Sequence, residues 1–507
     1  MREHLESLLL ALAVGSSVAI AAKRWGLPYN VALVLVGMGV VLTDILPSEP
    51  LDPALVLLVF LPLLVFEASI EAHAAHLRSA ARPILALAVP GVAISLIVTG
   101  GIATWILALP FSIALLLGAL LAITDTVSVL LAFRSVRVPH RLAAIMEGES
   151  LFNDGTALVL VSLCAGVVTQ GVFDPTATLR SLSIAIVGGG VIGAAFGAVG
   201  AAVLRRTPDH LTAILSSVVL VFATSLLAER FHASPVIAVV VAGLYVGNAA
   251  RGALEPSRVL ALEGFWETSG FLVNVMLFLL AGMQINGRLL VDEAGAIALA
   301  LLALHGGRAI AVYGSFAFLR VAWGEIVPMR WQHVMLIGNI KGALSMAAVL
   351  ALPVDLPYRA RLVTIVFGVT FVTLVAQALP FKRALGWLGV TLGSRDLDLD
   401  RARATLISAR RGINELDDLL TTGLVSRKDH ATRSAAFQRL IIQAEAALRT
   451  KGADADHLAV DSALLVGRKA ALKEAARRGL VDSSVAEEQI GELDGELVAL
   501  SEKGDHG

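Results

Sequence analysis

Up to about residue 392 the chain is a succession of apolar runs, each roughly 18 to 25 residues long, separated by short polar or Gly- and Pro-bearing breaks. A run of that length crosses a hydrocarbon layer about 30 Å thick as an α-helix. The pattern predicts about 13 spans, at roughly 5–22, 28–43, 51–69, 83–108, 112–133, 143–170, 180–203, 211–228, 235–249, 263–285, 295–319, 332–352 and 361–379. Then the pattern changes. From Arg395 the stretch "RDLDLDRARATLISARRGINELDDLL" is charged, rich in Ala and Leu and helix-prone, with no run able to span. The expected organisation is an all-α membrane domain over 1–392 and a soluble helical region over 393–507.

Two of these spans are interrupted. Span five contains "LLAITDTVSVLL", where Thr124, Asp125, Thr126 and Ser128 break the hydrocarbon, and span twelve contains "MLIGNIKGALSMAAVLALP", where Gly338, Asn339, Lys341 and Gly342 do so. Interruptions at corresponding positions of two halves point to inverted repeats with an ion site near the midplane. Unwound backbone at that depth must line a cavity or be buried in protein, so the two breaks are expected to face each other.

Composition supports the membrane reading. The chain is 57% hydrophobic and 16% charged with a mean hydropathy of +0.79, outside the range of soluble domains. A net charge of −1 offers nothing to nucleic acid, and a single cysteine, Cys164, excludes an internal disulfide. The apolar run at 8–22 is followed by Lys23, Arg24 and Trp25 in place of a cleavage site, so it reads as the first span. Basic residues collect after the odd-numbered spans: Lys23 and Arg24, Arg78 and Arg82, Arg134, Arg137 and Arg141, Arg205 and Arg206, Arg251 and Arg258, Arg320 and Arg330. The opposite loops hold Asp44, Glu49, Asp52 and Asp174 with scattered arginines. The basic side is cytoplasmic by the positive-inside rule, which puts the N-terminus outside and the C-terminal region inside a cell membrane.

The chemistry concentrates in "EGESLFNDGTALVLV", which sets Glu147, Glu149 and Asp154 at the mouth of an apolar run. A charge in hydrocarbon is unfavourable by on the order of several kcal/mol unless paired, solvated or titrated. In a helix starting near Glu147, Ser150 and Asp154 share a face, as do Glu149 and Asn153 one position round. That aims Asp154 at the break in span five, where Thr124 and Asp125 add hard oxygen ligands suited to small cations; Cys or clustered His for a transition metal is missing. Desolvation favours the protonated carboxyl, so protons and cations would compete at this one group. With Asn153 beside it instead of a second acid, exchange would be one for one and electroneutral. Asp125 and Lys341 have a second reading, as charges that offset the dipole ends of opposed half-helices. Arg308, in "LALHGGRAIAVYG", needs a buried anion, for which Glu149 stands first and Glu147 or Glu67 are alternatives.

The segments "LVFEASIE", "AITDTVSVL", "EGESLFNDGTALV" and "GNIKGALSMAAVLALP" resemble, in order, signature segments of the monovalent cation:proton antiporters, specifically the electroneutral branch of NhaP-type and NHE-type sodium/proton exchangers. The resemblance covers roughly residues 5 to 385. It implies the antiporter fold of inverted repeats with two crossing discontinuous helices. It also implies a homodimer in which a six-helix core moves, elevator-like, against a dimerisation domain. By position it makes Asp154 the ion- and proton-binding acid and Asn153 its partner, Ser150 and Thr124 ligand donors, Asp125 a crossing-site acid, and Glu149 the partner of Arg308. Two positions depart from the family pattern: Thr126 stands where Pro is common and Lys341 where Arg is common. Lys keeps the charge without the guanidinium fork, and unlike Arg it can titrate.

The expected activity is therefore Na⁺ (or Li⁺) exchange for H⁺, with K⁺/H⁺ exchange and a cation channel as alternatives. An enzyme is disfavoured, because the chain carries no nucleophile motif or metal-ligand cluster, and no cofactor is expected. His73, His76, His140 and His210 border proposed cytoplasmic loops as pH sensors or plain surface residues, and His305 is expected to bond within the core. "GGGVIGAAFGAVGAA" at 188–202 predicts close helix packing, not a nucleotide loop. In the tail, "TTGLVSRKDHATR" and "RRGLVDSSVAEEQ" each predict a helix stop at Gly followed by a cap for the next helix. A small helical bundle that dimerises or regulates, or a solvated appendage, is expected there.

Overall fold

A computed structural model of the chain describes residues 2–25, 27–41, 53–171, 174–207, 209–285, 287–391 and 394–451, with isolated residues between 468 and 493. Asp44, Glu49, Asp52 and, apart from Val485 and Gln489, the second tail segment at 477–489 lie outside the described residues. The chain forms two compact units, Met1–Thr391 and Leu392–Gly507.

The first unit is helical wherever it is regular among the described residues. Its helices are α1 (Arg2–Trp25), α2 (Tyr29–Val41), α3 (53–71), α4 (Ala81–Ile106), α5 (Phe111–Ala122), α6 (Thr126–Ser135), α7 (His140–Gln170) and α8 (Pro175–Arg206). They continue as α9 (His210–Arg230), α10 (Pro235–Ala253), α11 (Pro256–Met283), α12 (Ala294–Trp323), α13 (Met329–Ile337), α14 (Ala343–Leu350), α15 (Arg359–Ala378) and α16 (Phe381–Trp387). Among the described residues, eight helices are long and apolar enough to cross a membrane. The interruptions fall where the polar residues predicted them: α5 and α6 are parted at residues 123–125, and α13 and α14 at residues 338–342. Helix starts follow local chemistry. Pro175, Pro235 and Pro256 occupy first-turn positions, where a missing N–H is harmless, and Pro256 opens α11 seven residues ahead of the predicted boundary at 263.

Asp209 caps α9 by accepting the Thr212 N–H at 2.8 Å, and this bond holds its carboxyl below the usual carboxylate range. A lowered folded pKa means that the cap contributes above the ordinary value and is lost as pH falls through the lowered one. Hydrogen-exchange protection in the first turn of α9 is thus expected to drop at acid pH, whereas Asp209→Ala should show the reduced protection already at neutral pH. Equal protection of the two proteins at neutral pH would contradict the cap.

The helices pack as two bundles. One contains α1, α2, α3, α8, α9, α10 and α11, the other α4, α5, α6, α7 and α12 to α16. In the first, the small-residue stripe of α8 lies on α10 as expected: a Cβ on Gly193 would sit 2.3 Å from the Ala238 carbonyl oxygen, so only Gly permits this approach. The two bundles touch where α7 passes α10 and α14 passes α3 and α11. Cys164 is half-buried against the core and makes no disulfide.

In the second unit α17 (Ser394–Thr421) and α18 (Arg427–Lys451) form an antiparallel hairpin. The ring of Phe437 lies over Gly412, and Arg410 reaches Glu445 at 3.0 Å. The stop-and-cap reading of "TTGLVSRKDHATR" describes the turn: Gly423 is left-handed at φ 74°, and Ser426 Oγ accepts the Asp429 N–H at 3.1 Å.

Candidate ion-transport site

The two breaks meet. The Asp125 N–H donates to the Ile340 carbonyl at 2.8 Å, while Lys341 Nζ donates to the Ile123 carbonyl at 2.9 Å and to Asn339 Oδ1 at 2.8 Å. Ending α5 at Ala122 leaves carbonyls without a helical partner, and the Lys341 amino group there supplies a donor at the negative end of a half-helix. Lys341 is fully buried, and its N–H donates to Thr373 Oγ1 at 3.1 Å. Asp125 sits at the positive start of α6, where its Oδ2 accepts from Ser128 Oγ and lies 3.4 Å from Asn30 Nδ2. A Cβ on Gly342 would stand 2.8 Å from Asp125 Cβ, so the backbones approach closely only because residue 342 has none. Gly342→Val is expected to force the breaks apart, lowering stability by about 1–3 kcal/mol and removing transport. A melting temperature equal to that of the parent would contradict this.

Behind the breaks, α7 presents its polar face. Asn153 is fully buried, with Nδ2 3.2 Å from the Ala122 carbonyl oxygen, 3.2 Å from Thr124 Oγ1 and 3.3 Å from Glu149 Oε1. Its amide thus ties α7 to the buried C-terminal end of α5. Asp154 Oδ1 accepts from the Thr124 N–H at 3.4 Å, and Thr124 Oγ1 lies 3.4 Å from Ser150 Oγ. Arg308 grips Glu149 with two prongs, Nη1 to Oε1 at 2.9 Å and Nη2 to Oε2 at 3.0 Å, and reaches the Met335 carbonyl at 3.4 Å. Of the three acids open to Arg308 in the sequence, packing selects Glu149, and Glu147 and Glu67 face the cavity instead.

That cavity, of about 410 Å³, lies between the two bundles. Thr124, Asp125 and Asp154 line it, with Glu67 and Glu71 of α3, Glu147 of α7, Glu267 of α11, and Lys23 as the basic residue. Six carboxyl groups thus face one cavity against a single lysine, a lining that favours cations over anions wherever those carboxyls are ionised. Ser150, Asn153, Glu149, Arg308 and Lys341 are not on this wall; they stand in the packed layer that holds Thr124 and Asp154. Three participants were missed in the sequence. Glu267 was findable as an acid inside a predicted span and Glu71 as one just beyond another, whereas Asn30, one amide at the start of an apolar run, carried no such signal. Among the described residues no group of three or more His, Cys, Asp or Glu is placed to hold a metal.

The histidines divide. His73 stacks on His76 with ring centroids 5.2 Å apart, and His140 lies 6.3 Å from His76. Burial, then the Arg251 guanidinium, keeps the His73 imidazole below its ordinary pKa. His305 bonds in the core, Nδ1 donating to the Leu301 carbonyl at 2.8 Å while Nε2 meets the Gln377 amide.

Paired broken helices that meet beside an acid-lined cavity, in a bundle of long apolar helices, are the architecture of a transmembrane ion transporter. The chain belongs to the sodium/hydrogen exchanger family, whose model, described as "Sodium/hydrogen exchanger, transmembrane", matches residues 8–387. It is accordingly an ion-transporting antiporter, a transporter family and not an enzyme family. Similar proteins include the Na(+)/H(+) antiporter NhaS2 of Synechocystis, 35% identical over 98% of this chain and 94% of that one. The Na(+)/H(+) antiporter ApNhaP of Aphanothece halophytica is 38% identical over 78% of this chain and 77% of its own. In fold the chain is similar to the sodium proton antiporter MjNhaP1 of Methanocaldococcus jannaschii, with a TM-score of 0.66 at 21% identity, covering 76% of this chain and all of that one.

Proposed function

We propose that the protein exchanges Na⁺ (or Li⁺) for H⁺, one for one, at the carboxylate of Asp154. The observation that carries the reading is the placement of Asp154 on the wall of an acid-lined cavity, beside an Asn153 whose amide is held by backbone and hydroxyl. A carboxylate there can hold a proton or a cation but not both, so loading one displaces the other. Because its neighbour is an amide, one charge enters for each that leaves, and transport is electroneutral. Thr124 and Asp125 complete the oxygen set around the ion, with Ser150 supporting Thr124 from behind. Lys341 offsets the C-terminal end of α5 and stays with the protein.

Alternating access is by displacement of the bundle that carries α4 to α7 and α12 to α16 against the other, in an elevator-like movement. Lys23 and Glu71 lie at the ends of α1 and α3 next to the basic loops, which supports a cavity open to the cytoplasm. The chain crosses the cell membrane thirteen times, works as a homodimer, and keeps its C-terminal hairpin inside the cell.

Purified protein in proteoliposomes tests this reading. A Na⁺ or Li⁺ gradient is expected to drive an opposite proton flux, followed by an internal pH dye, at a rate insensitive to a potential set with potassium and valinomycin. Exchange with K⁺ alone would overturn the choice of ion, and proton flux driven by voltage would overturn the one-for-one count. Conductive cation flux without proton movement would make the protein a channel.

A further inference from the structure

Asn30 is fully buried at the start of α2 and has no part in the exchange chemistry derived above. Its Oδ1 accepts the Val31 N–H at 3.0 Å, which turns Nδ2 toward α6. There Nδ2 donates to Ser128 Oγ and lies 3.4 Å from Asp125 Oδ2, and the Ser128 hydroxyl donates to the same Oδ2. The next residue back, Tyr29, packs edge-on against Phe271 of α11 with centroids 5.4 Å apart, so Asn30 is anchored to the first bundle. Asp125 and Ser128 belong to the second. These hydrogen bonds therefore cross the boundary between the bundles, at a residue that lines the cavity.

We propose that Asn30 is a positioning residue: a clasp that ties Asp125 and the start of α6 to the stationary bundle while the cavity is open, and lets go when the bundles move past each other. The inference rests on the exchange reading for the movement it regulates. Its physical basis is that hydrogen bonds spanning the boundary must part when the bundles slide past each other, and interactions present in one of two states shift the population toward that state. In a buried setting, two donors on one carboxylate oxygen also reinforce each other, so the amide and hydroxyl act as a unit.

Accessibility of a reporter cysteine reads the population directly. In the Cys164→Ala background, Thr268→Cys places a thiol on the cavity wall, and its rate of modification by a membrane-impermeant methanethiosulfonate reports the cavity-open fraction in full-length protein in nanodiscs. Asn30→Ala is expected to slow modification about three- to tenfold, and Ser128→Ala by a similar factor. Because both break one unit, the double variant should be no slower than the slower single. The isosteric Asn30→Asp, assayed at alkaline pH, preserves packing while replacing the donor by a second carboxylate, and should slow modification at least as much as Asn30→Ala. Unchanged rates in Asn30→Ala and Asn30→Asp, or effects that multiply in the double variant, would overturn the clasp. The thiol reaction needs no transport, so its outcome separates failure of the clasp from failure of the exchange reading, which shows as absent Na⁺-driven proton flux in the parent protein.

Discussion

Proteoliposomes carrying Asp154→Asn are expected to show no Na⁺- or Li⁺-driven change of internal pH above that of empty vesicles. The substitution keeps the size and planarity of the side chain, but an amide neither carries a titrating proton nor balances a cation, so both cargoes are lost together. Stability should hardly move. Asp154 meets the protein through a long hydrogen bond of 3.4 Å from the Thr124 N–H, and loss of so weak a contact usually stays within about 1 kcal/mol. Loss of exchange with a melting temperature near that of the parent therefore distinguishes the ion site from a folding defect. Exchange at the parent rate would sink the assignment of Asp154.

Arg308→Ala is expected to have the opposite profile, with stability falling first and transport failing as a result. The side chains of Arg308 and Glu149 are only 6% and 4% exposed, so removing one partner leaves the other charge buried without compensation, a change of about 3–5 kcal/mol. Arg308→Lys should recover little, because an ammonium cannot supply two parallel N–H donors to one carboxylate. The apolar pair Arg308→Met with Glu149→Leu should be more stable than either single variant, since no unpaired charge then remains. Thermal unfolding in detergent measures each variant against the parent. A double variant less stable than both singles would show that Glu149 and Arg308 do not act as a pair.

The bland features followed the sequence where a local rule governed them. The α8 stripe packed closely because small residues four apart share one helix face, and the α17–α18 turn formed because Gly423 and Ser426 serve adjacent backbone groups. Glu147 did not: the sequence sets it at the mouth of an apolar run as an alternative partner for Arg308, yet it lies two helical turns before Asp154 and lines the same cavity. Its register alone placed it on that face. Whether the face met lipid, protein or water depended on where α3 and α11 came to rest.

What the sequence determined by itself is local or periodic: the apolar runs, the positions of both breaks, and the faces of α7 that pair Ser150 with Asp154 and Glu149 with Asn153. Each follows from helix period and from the exclusion of polar backbone from hydrocarbon, which act within a few residues. Tertiary structure alone decided the partners. Arg308 is 159 positions from Glu149 and could have met any of three acids; Asn30 is 95 positions from Asp125 and signalled nothing. Such contacts are set by how whole helices pack, and helical register limits the candidates on a face without choosing among them. The cavity is of the same kind, a space that exists only because two bundles bring acids from α3, α7 and α11 around Asp154.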